Sequence, residues 1–274
     1  MTFRRLLLLG AMIPLVACST GDDNFKLGIA VDGVPIGEYA KKIFNHFNVS
    51  KEDMLKADVV TQYDDVKGVA NAVKAGTVTV GIVYQTDAFS NHLNKVDTAT
   101  EEMCGKAYYP ISLVKNSAGR DVAAQFFVDY LTQLNAKTVF ENVGFTMLIE
   151  PHSLGDVPSG DQVVKVAAAA SMKETIDALK TTFTQTYTNF TIETDYRGSS
   201  KLLKSIKESP NDFDIFLSAD TANMDGLEQA GLVKEGTRFN ILENKVALVT
   251  PDDNPSKIES FSQLFDVIKK RIEK

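Results

Sequence analysis

Four short turns carry the residues best suited to chemistry: Ala170-Ser171, Gly198-Ser199-Ser200, Pro35-Ile36-Gly37 and Asp65-Val66. Each follows a short apolar run and precedes a stretch with helical spacing, so each sets small or neutral groups at a helix start. The first turn of a helix leaves backbone N–H groups without a carbonyl partner and carries partial positive charge. Several such starts, meeting at the carboxyl ends of strands, hold an anion through N–H groups and serine hydroxyls without any lysine or arginine. Tyr84, at the end of VTVGIVY, adds a phenol. Every group in this set is a donor.

Of the four, Ser171 is embedded in the most telling stretch, VVKVAAAASMKET from Val163 to Thr175. A β-branched run, small residues to Ala170 and then Ser-x-x-Glu read as a strand, a tight turn and a helix start capped by Ser171 and Glu174. A Ser cap with no ligand accounts for Ser171 taken alone. The bare alanines are what open the backbone to a ligand.

Catalytic patterns are weak. His46, His92 and His152 have no partners at metal-ligand spacing, and neither Ser171 nor Ser199 sits in a G-x-S-x-G elbow. A hydrolase using Ser171 is therefore a poor third reading. There is no P-loop and no G-x-G-x-x-G. Cys104 reads as a bystander thiol, and with Cys18 the only other cysteine no intramolecular disulfide is expected once Cys18 is acylated.

Strands and helices alternate to position these turns, which argues an α/β fold with mainly parallel sheets. Strands are expected at Phe25–Val31, Val59–Gln62, Val78–Tyr84, Tyr108–Val114, Val163–Val166, Thr191–Tyr196 and Phe213–Leu217, with a long apolar strand region at Arg238–Val249. Helices are expected at Glu38–Phe47, from Val66 to Val73, at Asp121–Asn135, over about Ala136–Val143, from Ser171 to about Tyr187, through Leu202 and Ile206, and at Phe261–Ile272. Residues 149–160, with Pro151, Gly155, Pro158 and Gly160, form the clearest linker.

The chain of 274 residues suits one large domain or two lobes, and 44% hydrophobic with 24% charged residues is ordinary for a globular protein. Its formal charge of −7 becomes two units more negative once residues 1–17, with Arg4 and Arg5 and no acid, are removed. Bulk attraction to nucleic acid is excluded on that balance. Arg4-Arg5 followed by the apolar run Leu6–Val16 reads as a signal segment, and Leu15-Val16-Ala17-Cys18 as a lipobox with Cys18 acylated after cleavage. Residues 18–24 then form a tether.

Taken together, VKVAAAASMKETIDAL, DYRGSSKLLKSI, DIFLSAD and RFNILENKVALVTP resemble segments of the periplasmic molybdate-binding proteins of ABC importers. So do VPIGEYAKK, DDVKGVANAVKAG, VGIVYQTDA, YYPISLVK and ENVGFTML. The resemblance covers nearly all of residues 25–270, but its order is rotated. The segment like VKVAAAAS opens the family's chain, whereas here it follows the linker at 149–160. The chain thus resembles a circular permutant.

The resemblance implies a two-lobed type II periplasmic-binding-protein fold. One lobe comprises residues 25–106 with 238–274, and the other residues 107–237, containing the linker. It further implies an oxyanion, molybdate or tungstate, bound in the cleft by the hydroxyls of Ser171 and Ser199, the backbone N–H groups of Ile36 and Val66, and the Tyr84 phenol. The family usually has Ala where Ile36 stands, which narrows the pocket. No enzyme activity and no cofactor are implied. The expected partners are ABC permease subunits and, through the lipid, a bacterial membrane, with the receptor a monomer. The alternative is an oxyanion-sensing or interaction lipoprotein of the same fold without a transport role.

Overall fold

The computed structural model describes residues 25–151 and 153–274. The signal segment, Cys18, the tether and His152 lie outside the described residues.

Eleven strands form two mixed sheets among the described residues. In chain order they are β1 (Leu27–Ala30), β2 (Val60–Tyr63), β3 (Val80–Tyr84), β4 (Asn94–Thr98), β5 (Ala107–Leu113), β6 (Thr146–Met147), β7 (Gln162–Ala169), β8 (Phe190–Arg197), β9 (Ile215–Leu217), β10 (Phe239–Asn244) and β11 (Val246–Thr250). The helices are α1 (Pro35–His46), α2 (Lys51–Lys56), α3 (Val66–Lys74), α4 (Gln85–Asn91), α5 (Glu101–Cys104), α6 (Asp121–Leu131), α7 (Leu134–Asn142), α8 (Lys173–Thr186), α9 (Ser199–Glu208), α10 (Thr221–Gln229) and α11 (Phe261–Ile272). One sheet runs β2-β1-β3-β11-β4, the other β6-β10-β5-β9-β7-β8. The result is a two-lobed α/β fold of the periplasmic-binding-protein kind.

The expectation of mainly parallel sheets is corrected. Parallel pairing is confined to β1 with β2 and β3, and to β7 with β8 and β9. The strands on either side of the lobe crossings, β5, β10 and β11, pair antiparallel with their neighbours. In each of these antiparallel pairs the two strands lie far apart in the chain, so no single helical crossover imposes a parallel return.

The crossing expected near Arg238 lies instead at Lys245. Phe239–Asn244 pairs with β5 and β6 in the second sheet, and Val246–Thr250 pairs with β3 and β4 in the first. Arg238 itself is held in the second lobe by Asp225 and Glu228 of α10.

Helix α11 shows how the sequence fixes an element. Ser260 caps it by accepting from the Gln263 N–H, and Phe261, Leu264, Phe265 and Ile268 fall on one buried face. Phe265 stacks on Phe47 with ring centroids 4.4 Å apart and meets the edge of Phe44 at 5.9 Å. Near its end the Arg271 guanidinium lies 4.9 Å from the Phe25 ring centroid, so the two ends of the described chain meet. In the second lobe an aromatic cluster of Phe126, Phe127, Tyr130, Phe183, Tyr187 and Phe190 packs under α6 and α8. Among the described residues, 148–151 and 153–161 carry no helix or strand and are largely exposed.

Candidate functional site

The four turns converge. A small cavity lies between the two sheets and is lined by Val34, Pro35, Ile36, Asp65, Val66, Tyr84, Ala169, Ala170, Ser171, Gly198, Ser199 and Ala219. All five residues singled out for the ligand line it: Ser171, Ser199, Ile36, Val66 and Tyr84. Each is buried. No lysine or arginine is in the lining.

Each wall has a local cause. After β1 the chain turns through Gly33 and Val34 into α1, with Pro35 at the first helical position, where its missing N–H costs nothing. Gly37 allows α1 to sit on the strand end, because a Cβ there would lie 2.1 Å from the Val31 carbonyl oxygen. Ile36 thus occupies the first turn of α1, and Val66 the first residue of α3. Asp65 caps α3 by accepting from the Gly68 N–H at 3.0 Å. It also brings a carboxylate to the wall, so the lining is not made of donors alone. One of its oxygens, Oδ1, is engaged by its own helix.

Ser171 departs from the expected capping box. It lies in a 3₁₀ turn, Ala170–Met172, ahead of α8, and caps no N–H. Its Oγ is instead 2.8 Å from the Tyr109 hydroxyl. Glu174 does not reach back to the turn; its Oε2 is bound by Lys67 Nζ from the other lobe at 2.7 Å. Tertiary partners outcompete the local cap: Ser171 meets Tyr109 of its own lobe, and Glu174 meets Lys67 of the other. Ser199 opens α9 behind Gly198, and its Oγ accepts from the Ala219 N–H at 3.0 Å. With that lone pair taken, the Ser199 hydrogen is free to donate into the cavity. Tyr84 makes a long contact, 3.4 Å, to the Ala219 carbonyl.

Behind the cavity Tyr39, Tyr84, Tyr109 and Phe145 form an edge-to-face series, with successive centroids 6.1, 5.7 and 5.2 Å apart. Burial raises the Tyr84 and Tyr109 phenols well above their ordinary pKa, so both keep their hydrogens. The mouth is closed by contacts between lobes: Lys67 with Glu174, Lys201 with Asp64 at 3.4 Å, and the Ser200 hydroxyl donating to the Gly33 carbonyl.

Sequence reasoning did not single out Tyr109, Asn244, Lys67 or Asp87. Asn244 was the most visible of them, as the middle of three polar residues, Glu243 to Lys245, that interrupt the apolar run ILENKVALV. Outside the site, Cys104 is buried and its thiol is pushed up to about 11 by that burial, as a bystander would be. Among the described residues no group of three His, Cys, Asp or Glu side chains is placed to hold a metal ion.

The chain belongs to the bacterial extracellular solute-binding protein family, whose pattern it matches over residues 19–146 and 164–270. It is thus one of a family of binding proteins and not an enzyme. It is 33% identical over 135 residues to a putative ABC transporter substrate-binding lipoprotein, YvgL, of Bacillus subtilis, covering 48% of this chain and 50% of that one. It is 32% identical over 115 residues to the molybdate-binding protein ModA of Escherichia coli, covering 42% and 43%. The chain thus spans half or less of the length of these curated relatives. A phosphate-binding protein of a phosphate ABC transporter from Streptococcus pneumoniae has the same fold, with a TM-score of 0.55 at 15% identity over 90% of this chain and 96% of that one.

Proposed function

We infer that this protein is the receptor of an ABC importer for molybdate or tungstate. It takes the oxyanion in the cavity between its lobes and hands it to the transmembrane permease subunits, while a lipid on Cys18 holds it at a bacterial membrane. The observation that carries this reading is the convergence of Ser171, Ser199, Tyr84 and the first turns of α1 and α3 on one small buried cavity without a basic side chain. Backbone N–H groups and hydroxyls suit a fully deprotonated tetrahedral dianion, whose oxygens accept only. The Escherichia coli relative, named for molybdate binding, supports the choice of ion.

The same reading takes the chain as a circular permutant. Its support is the order of the segments, the assembly of the first sheet from both sides of the second, and the meeting of Arg271 with Phe25.

Calorimetric titration with molybdate, tungstate, sulfate and phosphate tests the function. Molybdate and tungstate should bind far above the other two: sulfate is smaller and stretches every bond, and phosphate keeps a proton that none of the N–H groups, hydroxyls and phenol proposed for the ligand is set to accept. Phosphate binding of comparable strength would sink the reading.

A further inference from the structure

Ser171 differs from Ser199 in how its hydroxyl is oriented. The oxygen of Ser199 is fixed by a backbone N–H, which can only donate. The oxygen of Ser171 faces a phenol, and a phenol and a serine can each donate to the other. Left alone, that pair has two arrangements, and only one leaves the Ser171 hydrogen for a ligand.

The next residue removes the ambiguity. Asn244 Nδ2 lies 3.2 Å from the Tyr109 oxygen and 3.0 Å from Thr86 Oγ1. The side-chain amide cannot be turned over, because its Oδ1 accepts the Lys245 backbone N–H at 2.8 Å. Asn244 therefore donates to Tyr109. With that acceptor position filled, the Tyr109 hydrogen goes to Ser171 Oγ, and the Ser171 hydrogen points onward into the cavity. Tyr109, Asn244, Ser171 and Thr86 are all buried, so water does not scramble the order.

We propose that Asn244 and Tyr109 are positioning residues that lock the Ser171 hydroxyl as a donor, and so discriminate fully deprotonated oxyanions from protonated ones. The inference rests on the oxyanion reading above. Its consequence is specific. A hydrogen phosphate ion needs one acceptor for its own proton, and Ser171 with its oxygen engaged cannot provide it. The relay also places this choice at a lobe crossing. Asn244 ends β10 in one sheet, Lys245 makes the step, and Thr86 belongs to α4 beside the other sheet.

The test is titration of wild type, Tyr109→Phe and Asn244→Asp with sodium molybdate and with potassium phosphate in mildly alkaline buffer, beside thermal melts. Tyr109→Phe frees the Ser171 oxygen. Molybdate affinity should fall about tenfold, as expected when a charge-assisted bond is weakened, while phosphate affinity holds or rises. Asn244→Asp keeps the shape but replaces the amide donor with a carboxylate that takes the phenol hydrogen. Ser171 then donates to the phenol, and molybdate should lose more than in Tyr109→Phe. If molybdate and phosphate affinities fall in the same proportion in both variants, Tyr109 and Asn244 are merely structural and the relay is overturned. The relay is also overturned if both variants bind as wild type does. A wild type that takes up neither ion overturns the oxyanion reading itself, and the relay with it.

Discussion

Lys67 Nζ reaches across the cleft to Glu174 Oε2, 2.7 Å away, with Asp87 Oδ1 3.2 Å from the same ammonium. Lys67 follows Val66, the cavity-lining first residue of α3, and Glu174 is the second residue of α8, the helix after Ser171. The pair thus bridges the two lobes beside the cavity. Burial alone would lower the Lys67 pKa, but Asp87 and Glu174 hold it above its ordinary value.

Glu174 is half-exposed, so its clasp is worth at most about 1 kcal/mol. Glu174→Gln should weaken molybdate binding by no more than about fivefold, chiefly through faster release at low salt. Stopped-flow release rates at low and high salt decide this; an unchanged rate at low salt would show that the clasp does not hold the closed form.

Asp87 is fully buried, and its carboxylate oxygens have no partner among the described residues but the Lys67 ammonium. Burial pushes its carboxyl up to about 6 from an ordinary 3.8, with Lys67 opposing the rise. The native state therefore holds this proton over a range where the unfolded chain has lost it. Stability from this group is fully present below about pH 4 and is lost as pH rises through about 6. Asp87→Asn should be more stable than wild type by about 1–3 kcal/mol at neutral pH, with the gain vanishing near pH 4. Melting curves across that range check the sign, and a gain that grows toward acid refutes it.

Ser171→Ala and Ser199→Ala should each weaken molybdate binding by about tenfold to a hundredfold, since a hydrogen bond to a charged group is worth roughly 1.5–3 kcal/mol. The two should part in stability. Ser199→Ala leaves the buried Ala219 N–H without its acceptor and should lower the melting temperature. Unchanged affinity in both would remove these serines from the site.

Two glycines in one turn make a controlled comparison. Gly37→Ala drives a methyl to within 2.1 Å of the Val31 carbonyl oxygen and should cost about 3 kcal/mol or more. Gly33, at φ +79° with open space around it, should cost only about 1 kcal/mol as Ala, the strain of the left-handed backbone. Equal losses in the two, measured by denaturant unfolding, would contradict the close approach of α1 to the strand.

The turns that build the cavity were legible because small residues between an apolar run and a helical period leave few alternatives. Helix α11 was legible to the residue, having a serine cap and an uninterrupted apolar face. Strand β4 was not: NKVDT is polar, and it is a strand only because β11 pairs with it. Helix α2 buries a single side chain, Met54, too little to show a period, although its Ser50 cap was a signal. The crossing at Lys245 was hidden because RFNILENKVALV reads as one apolar run, with no glycine or proline at the step. The relay from Asn244 through Tyr109 to Ser171 joins residues far apart in the chain, and no local pattern can announce it.

The order of the first sheet sets a timetable for folding. Strand β4 is joined to that sheet only through β11, and β11 also covers the edge of β3. Until Val246–Thr250 has emerged and docked, β3 and β4 are two unpaired edges waiting on a partner made much later than they are. Unpaired edges are the surfaces on which chains stick to one another. Assembly of this lobe is therefore delayed until β11 has emerged, behind the slow closure of a very long loop. A chain stopped short of β11 should accumulate as aggregate even though nearly all of its second lobe is present.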